Sequence, residues 1–224
     1  MFIGRKTELK QLNEQYNSNK FEFAVIYGRR RIGKTSLIQE FIKNKEALFF
    51  TGLETTQKQN LINLSQVILQ SNSENISFNS FQAALENIFE QTNKKRIIFI
   101  IDEYPYLANS YPAISSILQL LIDKNKENSK LFLILCGSSL SFMEEQVLGY
   151  QSPLYGRRTS QYKIKPFSFF ETCDYYKTFS YEEKALIYGL TSGIPLYLSL
   201  FREDKSLKQN IIDIFLSSNG YLFE

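Results

Sequence analysis

Short runs of apolar residues recur along the first two thirds of the chain. Residues 97–101 and 131–136 are apolar throughout, as expected of parallel strands that are buried on both faces. Mixed apolar and aromatic runs at residues 21–27 and 47–51, and a weaker one at 161–164, predict three further strands. Each run is too short for an ordinary helix, so the pattern favours strands.

Segments with helical spacing of apolar residues lie between these runs. We predict helices over residues 7–17, with Thr7 as N-cap, and over 35–43 and 57–70. The polar residues 71–80 predict a loop. Two more helices are marked by apolar residues three or four positions apart, namely Phe81, Leu85, Ile88 and Phe89, and Ile114, Leu118 and Leu121. Strands that alternate with helices are typical of an α/β fold in which helices cover both faces of a parallel sheet.

From Pro166 onward the pattern indicates helices alone. Ser180 and Glu183 have the spacing of a capping box, which predicts the start of a helix. We therefore predict two domains, an α/β domain over residues 1–166 and a small helical domain over residues 167–224. Because the last residues are apolar, we expect the helical domain to be incomplete and the chain to be one part of a longer protein.

The chain contains no histidine. This absence excludes the usual general base, the catalytic dyads and triads that need an imidazole, and every histidine-ligated metal site. Proton chemistry must therefore involve carboxylates, lysines or hydroxyls. The two cysteines cannot form a four-cysteine zinc site, and Cys136 lies in an apolar run, where a small buried residue is the commoner interpretation.

The net charge is small, because 26 lysines and arginines face 23 aspartates and glutamates to give +3. Such a surplus does not by itself indicate a nucleic-acid or membrane surface, so any basic surface must be local. No apolar stretch approaches the roughly 18–20 residues that cross a bilayer, and the N-terminus lacks a signal-peptide core. We expect a cytoplasmic protein with no membrane partner.

The segment from Gly28 to Thr35 matches G-x-x-x-x-G-K-[ST], directly after a predicted strand and before a predicted helix. In such a loop, backbone N–H groups surround phosphate oxygens, the lysine reaches the β- and γ-phosphates, and the hydroxyl ligates Mg²⁺. The three arginines of the loop either reinforce the positive charge or are simply solvated. The nucleotide-binding candidates are Gly28, Arg29, Arg30, Arg31, Ile32, Gly33, Lys34, Thr35 and Ser36.

An acidic pair, Asp102 and Glu103, ends the apolar run that begins at Ile97. Because ligands of open α/β sheets bind at the carboxyl ends of the strands, this pair is expected beside the phosphate loop. Asp102 is suited to Mg²⁺ coordination together with Thr35, and Glu103 to activation of the attacking water. No Asn-Lys-x-Asp guanine signature occurs, so ATP is the expected nucleotide.

Three further segments have both a functional and an ordinary structural interpretation. Ser138 follows the run 131–136 and is our candidate for sensing the γ-phosphate or orienting water, although Gly-Ser-Ser is also common turn chemistry. Arg157 or Arg158 is a candidate for neutralising transition-state charge, with a salt-bridged surface pair as the alternative. Pro195 or Tyr197 either closes over the adenine or belongs to a plain helix-breaking turn.

These motifs together resemble an AAA+ ATPase, specifically the archaeal and prokaryotic ATPase group related to the signal-transducing STAND ATPases. The resemblance runs from Phe2 to about Leu200 and includes the opening Ile-Gly-Arg, the phosphate loop, the Asp-Glu pair, Leu-Tyr-Gly-Arg-Arg-Thr and Gly-Ile-Pro. It implies a P-loop fold of three layers followed by a helical lid. It also implies Ile3, Gly4, Arg5 and Pro195 as contacts on the adenine side. Ser138 departs from the asparagine usual at that sensor position.

The resulting hypothesis is a module that binds ATP or ADP with Mg²⁺ and hydrolyses ATP slowly as a conformational switch. One alternative is a nucleotide-binding module with little turnover, in which Glu103 is badly placed, or in which a missing C-terminal region or neighbouring subunits, as in a homo-oligomer, supply the arginine. The other is the motor part of a nuclease-linked protein that acts on DNA through regions absent from this chain.

Overall fold

A computed structural model of the chain describes residues 2–71 and 78–223, with the side chains of residues 70 and 71 left aside. The chain divides into two compact units. We call the first, Thr7–Arg29 with Lys34–Ile164, the sheet unit. We call the second the helical unit, which comprises Arg30–Gly33 and the described residues of Met1–Lys6 and Lys165–Glu224.

The sheet unit is built on five parallel strands in the order β2-β3-β4-β1-β5. All residues of β3 and β4 are buried, which explains why their sequences are apolar rather than alternating. The bounds of the strands are β1 (Glu22–Tyr27), β2 (Ala47–Thr51), β3 (Ile97–Asp102), β4 (Leu131–Gly137) and β5 (Ser160–Lys163). This sheet confirms the predicted α/β fold class.

The register of the central strands aligns their ends. Phe23 of β1 lies opposite Leu133 of β4, and Ile101 of β3 lies opposite Leu135. Since the strands are parallel, every segment that follows a strand lies at the carboxyl edge of the sheet, and every segment that precedes one lies at the amino edge. This sorting positions the functional residues described below.

Helices connect the strands and cover the sheet. Those of the sheet unit are α1 (Lys6–Asn17), α2 (Lys34–Ile42), α3 (Gln57–Ser71), α4 (Phe81–Thr92), α5 (Tyr104–Ser110), α6 (Ile114–Asn125) and α7 (Leu140–Phe142), the last continued by a π-helical turn, Met143–Val147. Phe81, Leu85 and Ile88 on α4 and Leu118 on α6 belong to the buried core against the sheet, as their helical spacing predicts.

The helical unit contains α8 (Phe169–Tyr175), α9 (Tyr181–Thr191), α10 (Pro195–Leu198) and α11 (Leu207–Ile211), the last continued by a π-helical turn, Ile212–Leu216. Ser180 and Glu183 form the predicted capping box of α9, and Ser168 and Glu171 form a second one at α8. The unit has its own core of Phe167, Tyr176, Phe179, Ile187, Leu198, Phe201, Leu207 and Ile214.

This division into units differs from the two predicted domains. The predicted boundary at residue 166 lies close to the division after Ile164, but the N-terminal segment and Arg30–Gly33 group with the helical unit. Contacts inside that unit explain the grouping, because Arg5 donates to the Ile32 and Lys165 carbonyls.

Several predicted boundaries shift by a residue or more. Helix α1 begins at Lys6, so Thr7 lies inside it rather than capping it, and α2 runs from Lys34 rather than from Thr35. The sequence prediction missed α5, whose seven residues begin with Tyr104 and Pro105. Residue 71 ends α3, and residues 72–77 of the predicted 71–80 loop lie outside the described residues.

No helix within residues 2–71 and 78–223 has both the length and the apolar character needed to cross a bilayer.

Candidate functional site

The carboxyl edge of the sheet brings together residues from three separate connections. Thr35 lies in the first turn of α2, and its Oγ1 donates to Asp102 Oδ2 over 3.1 Å. Asp102 is the last residue of β3 and is only 6% exposed. A hydroxyl and a carboxylate in direct contact offer two hard oxygen ligands, which is the donor set that Mg²⁺ prefers.

Lys34 is buried at the N-terminus of α2, with 6% of its surface exposed. Its Nζ donates to the carbonyl oxygens of Gly28 and Arg29, each over 3.0 Å. These two acceptors hold the ammonium group against the loop that begins where β1 ends. The lysine is therefore placed to neutralise an anion at the start of α2, where the helix dipole also favours negative charge.

Both glycines of the motif have positive φ angles, 154° at Gly28 and 85° at Gly33. A side chain at either position would strain the backbone, which explains why the motif needs glycine there. Arg31, between them, has a φ of 70° although it is not glycine. Within the helical unit, its guanidinium donates to Tyr197 Oη over 3.2 Å. The three arginines of the loop and Ser36 are exposed.

Glu103 adopts the left-handed conformation, with φ 47° and ψ 45°. For a residue other than glycine this conformation costs about 1–2 kcal/mol. Its Oε2 accepts two hydrogen bonds from Ser138, from the Oγ at 2.9 Å and from the backbone N–H at 3.3 Å. The structure thus brings the predicted water-activating residue and the predicted sensor residue into direct contact.

Two glycines allow the segments at this edge to approach one another closely. A Cβ at Gly52, which follows β2, would lie 2.8 Å from the Glu103 carbonyl oxygen and 3.1 Å from the Leu107 nitrogen. A Cβ at Gly137 would lie 2.6 Å from the Met143 sulfur. The sequence prediction did not single out Gly52. A glycine directly after a predicted strand is the signal that would have drawn attention to it.

Cys136 lies in β4, fully buried beside these groups. Burial raises the pKa of its thiol well above the usual value, and the neighbouring Asp102 carboxylate raises it further. The thiol is therefore held in its neutral form. The expectation of a small buried residue at this position is confirmed.

Arg157 and Arg158 do not join this cluster. They precede β5 and thus lie at the amino edge of the sheet, whereas Lys34 and Asp102 lie at the carboxyl edge. Arg157 pairs with Asp123, its Nη2 lying 2.6 Å from Oδ2, and this bond lowers the pKa of the Asp123 carboxyl. A strand of six residues separates the two edges by about 20 Å, so the structure does not bring either arginine to Lys34 within this chain, and their role in neutralising transition-state charge stays a prediction.

The residues that the resemblance assigned to the adenine side lie in the helical unit. Arg5 is 6% exposed, its guanidinium lies 4.8 Å from the centre of the Phe167 ring, and it donates to backbone carbonyls of Ile32 and Lys165. It therefore binds the chain's own backbone. Gly4 has a φ of 68° and approaches Phe167 closely. The Pro195 ring lies 3.9 Å from a Cβ position on Gly33, and Ile3 is partly exposed.

A nucleotide with Mg²⁺ fits the residues at the carboxyl edge. The buried Lys34 ammonium and the N-terminus of α2 suit phosphate oxygens, and the contacting Thr35 and Asp102 side chains suit a divalent cation. Among residues 2–71 and 78–223, no group of three or more Cys, Asp and Glu side chains can hold a metal by itself. Mg²⁺ in nucleotide sites commonly has only one or two protein ligands and shares its remaining positions with phosphates and water.

The fold and this set of residues define a P-loop ATPase of the AAA+ group. The family model described as an ATPase domain predominantly from Archaea matches residues 2–201, and the chain belongs to that family. It is therefore a nucleotide-binding ATPase module, and the resemblance inferred from its motifs is confirmed.

Comparisons with individual proteins agree with this classification. An uncharacterised protein of Methanocaldococcus jannaschii is 39% identical over 222 residues, which cover 96% of this chain and 48% of that protein. The chain thus spans about half the length of this curated relative.

Two solved structures share the fold. The Walker-type ATPase of Pyrococcus abyssi has a TM-score of 0.70 at 19% identity, covering 94% of this chain and 71% of that one. A STAND protein with a tetratricopeptide repeat sensor from Pyrococcus horikoshii has a TM-score of 0.59 at 23% identity, covering 96% of this chain and 32% of that one.

Proposed function

We propose that the chain hydrolyses ATP in a Mg²⁺-dependent reaction and uses the cycle as a conformational switch. The observation that carries this proposal is the contact network at the carboxyl edge, in which Thr35 bonds to Asp102 and Ser138 bonds to Glu103. Metal-binding and water-activating groups thus emerge from the ends of neighbouring strands, beside Lys34.

The phosphate-binding groups have separate roles. Lys34 exchanges its two carbonyl partners for phosphate oxygens, and backbone N–H groups of the loop from Gly28 to Thr35 bind the remaining oxygens. Thr35 and Asp102 hold the Mg²⁺ ion. When bound, the ion neutralises charge on the phosphates as it develops. ATP is the preferred nucleotide because the sequence has no guanine signature.

Glu103 is the proposed general base. Ser138 donates both of its hydrogen bonds to Oε2, so we assign Oε1 to the proton of the attacking water. The two hydrogen bonds from Ser138 orient the Glu103 carboxylate. Such preorganisation is a common source of catalytic power.

The switch depends on the part of the loop that belongs to the helical unit. Within this unit, the Leu196 N–H donates to the Arg31 carbonyl, and Arg5 donates to the Ile32 carbonyl. Phosphate binding that moves the loop backbone therefore acts directly on residues of the helical unit. We propose Ile3, Gly4 and Pro195 as base-side contacts, and Arg5 as the residue that fixes the loop carbonyl.

Replacement of Glu103 by glutamine tests the proposal. We expect the Glu103→Gln variant to release phosphate at least about 100-fold more slowly than wild type, because the base is lost. Its affinity for ATP with Mg²⁺, measured by calorimetry, should stay within about threefold, since glutamine keeps the shape and the hydrogen-bond acceptor. Glu90→Gln, an exposed carboxylate on α4, is the matched control and should hydrolyse at the wild-type rate.

The outcomes separate the proposal from its main alternative. Hydrolysis by Glu103→Gln at the wild-type rate would overturn the assignment of the general base. If wild type binds ATP and releases no phosphate, the chain is a nucleotide-binding module without turnover. If wild type shows no Mg²⁺-dependent ATP binding at all, the proposed function fails altogether.

A further inference from the structure

A cleft of about 620 Å³ opens at the amino edge of the sheet, in the sheet unit. Its walls come from the segments that precede three neighbouring strands, at Phe21 before β1, Lys130 before β4 and Thr159 before β5. The end of α6 completes it. The cleft therefore lies at the opposite end of the strands from Lys34 and Asp102.

The charge of this cleft is strongly one-sided. A single acidic side chain, Glu127, lines it together with five cationic ones, Lys20, Lys126, Lys130, Arg157 and Arg158. The surplus of cationic over acidic side chains in this cleft exceeds the net charge of the whole chain, which is +3. The composition implied that any basic surface must be local, and this cleft is such a surface.

Three of the five cations are not used to hold the fold together. Lys126 caps the C-terminus of α6, where a cation suits the helix dipole, and Arg157 pairs with Asp123. Within residues 2–71 and 78–223, no ion pair involves Lys20, Lys130 or Arg158. Their charges therefore face the cleft and solvent.

The segments that carry these cations are held in place by other side chains. The Arg96 guanidinium, just before β3, donates to the backbone carbonyls of both Lys20 and Lys130. Arg157 donates to the carbonyls of Pro153 and Tyr155 as well as to Asp123. Arg96 and Arg157 thus organise the walls of the cleft, and the charged groups of Lys20, Lys130 and Arg158 take no part in this.

Exposed aromatic rings adjoin the same surface. A second cleft, of about 420 Å³, shares Gly156, Arg158 and Thr159 with the first and extends to Tyr155. The Tyr155 ring lies 5.2 Å from that of Tyr150 in an edge-to-face arrangement. Tyr150 is 84% exposed, so a largely accessible aromatic ring contacts Tyr155 at the rim of the second cleft.

We propose that this amino-edge surface binds single-stranded nucleic acid. Cationic side chains that follow a groove bind the phosphates of such strands, and exposed aromatic rings stack on their bases. Bases must be unstacked to reach Tyr150, which favours a single strand over a duplex. The proposal does not rest on nucleotide hydrolysis, since its residues are distinct from those at the carboxyl edge.

The test uses the full chain and a fluorescent oligothymidine of about 20 nucleotides, with binding measured by anisotropy at about 50 mM and about 200 mM salt. We expect Lys130→Gln/Arg158→Gln to weaken binding at least about tenfold. The slope of log K against log salt should fall by about 1.4, because two phosphate contacts are lost. Tyr150→Ala should weaken binding about fivefold or more, and Tyr150→Phe should restore it.

Matched controls decide the outcome. Lys58→Gln/Lys208→Gln removes the same charge from exposed positions outside the cleft and should bind as wild type does, while circular dichroism verifies that each variant folds. The proposal is overturned if the oligonucleotide does not bind, or if the control pair weakens binding as much as the cleft pair. It is also overturned if a duplex binds as tightly and Tyr150→Ala has no effect, or if the cleft variants alter only self-association.

Discussion

The two edges of the parallel sheet differ in how they use their polar side chains. At the carboxyl edge, Thr35 bonds to Asp102, Ser138 bonds to Glu103, and Lys34 bonds to loop carbonyls. At the amino edge, Arg158 and its neighbouring lysines face an open cleft. At the carboxyl edge the functional side chains therefore fix one another, whereas at the amino edge Lys20, Lys130 and Arg158 line the cleft without an ion pair to any described residue.

This difference follows from the direction of the strands. A parallel sheet places all residues that follow strands at one end and all residues that precede strands at the other. Side chains that need exact positions lie at the carboxyl edge, where Gly52 and Gly137 allow neighbouring segments to approach closely. A surface that binds by charge needs no such closeness, and the open space around Gly156 illustrates this.

Substitution of one glycine at each edge should give the largest difference between the two edges, measured as the free energy of unfolding. We expect Gly52→Ala to lower the free energy of unfolding by about 1–3 kcal/mol, because the new Cβ meets the backbone of Glu103 and Leu107, which cannot move easily. Gly156→Ala has open space and only its φ of 73° to resist it, so about 1 kcal/mol is expected. Urea unfolding measures both, and a smaller loss of stability for Gly52→Ala than for Gly156→Ala would contradict the close approach at the carboxyl edge.

Removal of the Ser138 hydroxyl tests whether its hydrogen bond to Glu103 supports catalysis. Because Ser138→Ala leaves Glu103 with only the backbone hydrogen bond, we expect turnover to fall about tenfold. The KM for ATP should change by less than about twofold, since no phosphate contact is lost. Ser138→Thr, which keeps a hydroxyl, serves as the control. A rise in KM with unchanged turnover would instead indicate that Ser138 contacts the phosphates.

The smallest effect is expected at the ion pair of the amino edge. Arg157 lowers the pKa of Asp123, so the pair stabilises the fold at neutral pH and loses this contribution as the pH falls through the lowered pKa, below about pH 4. Because the pair is partly exposed, Asp123→Asn should cost less than about 1 kcal/mol at pH 7. Below about pH 4, the free energy of unfolding of the variant should fall less steeply with pH than that of wild type. If both fall equally, the Asp123–Arg157 pair does not contribute to the pH dependence.

Much of the fold was predictable because it depends on local patterns. The apolar runs that became β3 and β4 are buried on both faces, as their composition requires. The order of the strands was not predictable, since no local property of β5 indicates that it lies beside β1. Helix α5 was missed because seven residues give too little periodicity.

The candidate sites divide in the same way. Lys34, Thr35, Asp102 and Glu103 belong to contiguous motifs whose chemistry can be read directly from the sequence. Arg157 and Arg158 precede β5 and lie at the amino edge, so their role at the nucleotide stays a prediction that the structure of this chain does not test. The cationic cleft was not predicted, since its residues come from segments that are distant in sequence and meet only through the strand order.

The backbone of Glu103 has a consequence for evolution in the laboratory. Glycine adopts its left-handed conformation without steric hindrance, whereas glutamate does not. In a library selected for resistance to heat alone, glycine should accumulate at position 103. Selection that also required turnover would eliminate those clones, so the residue recovered at this position distinguishes the two pressures.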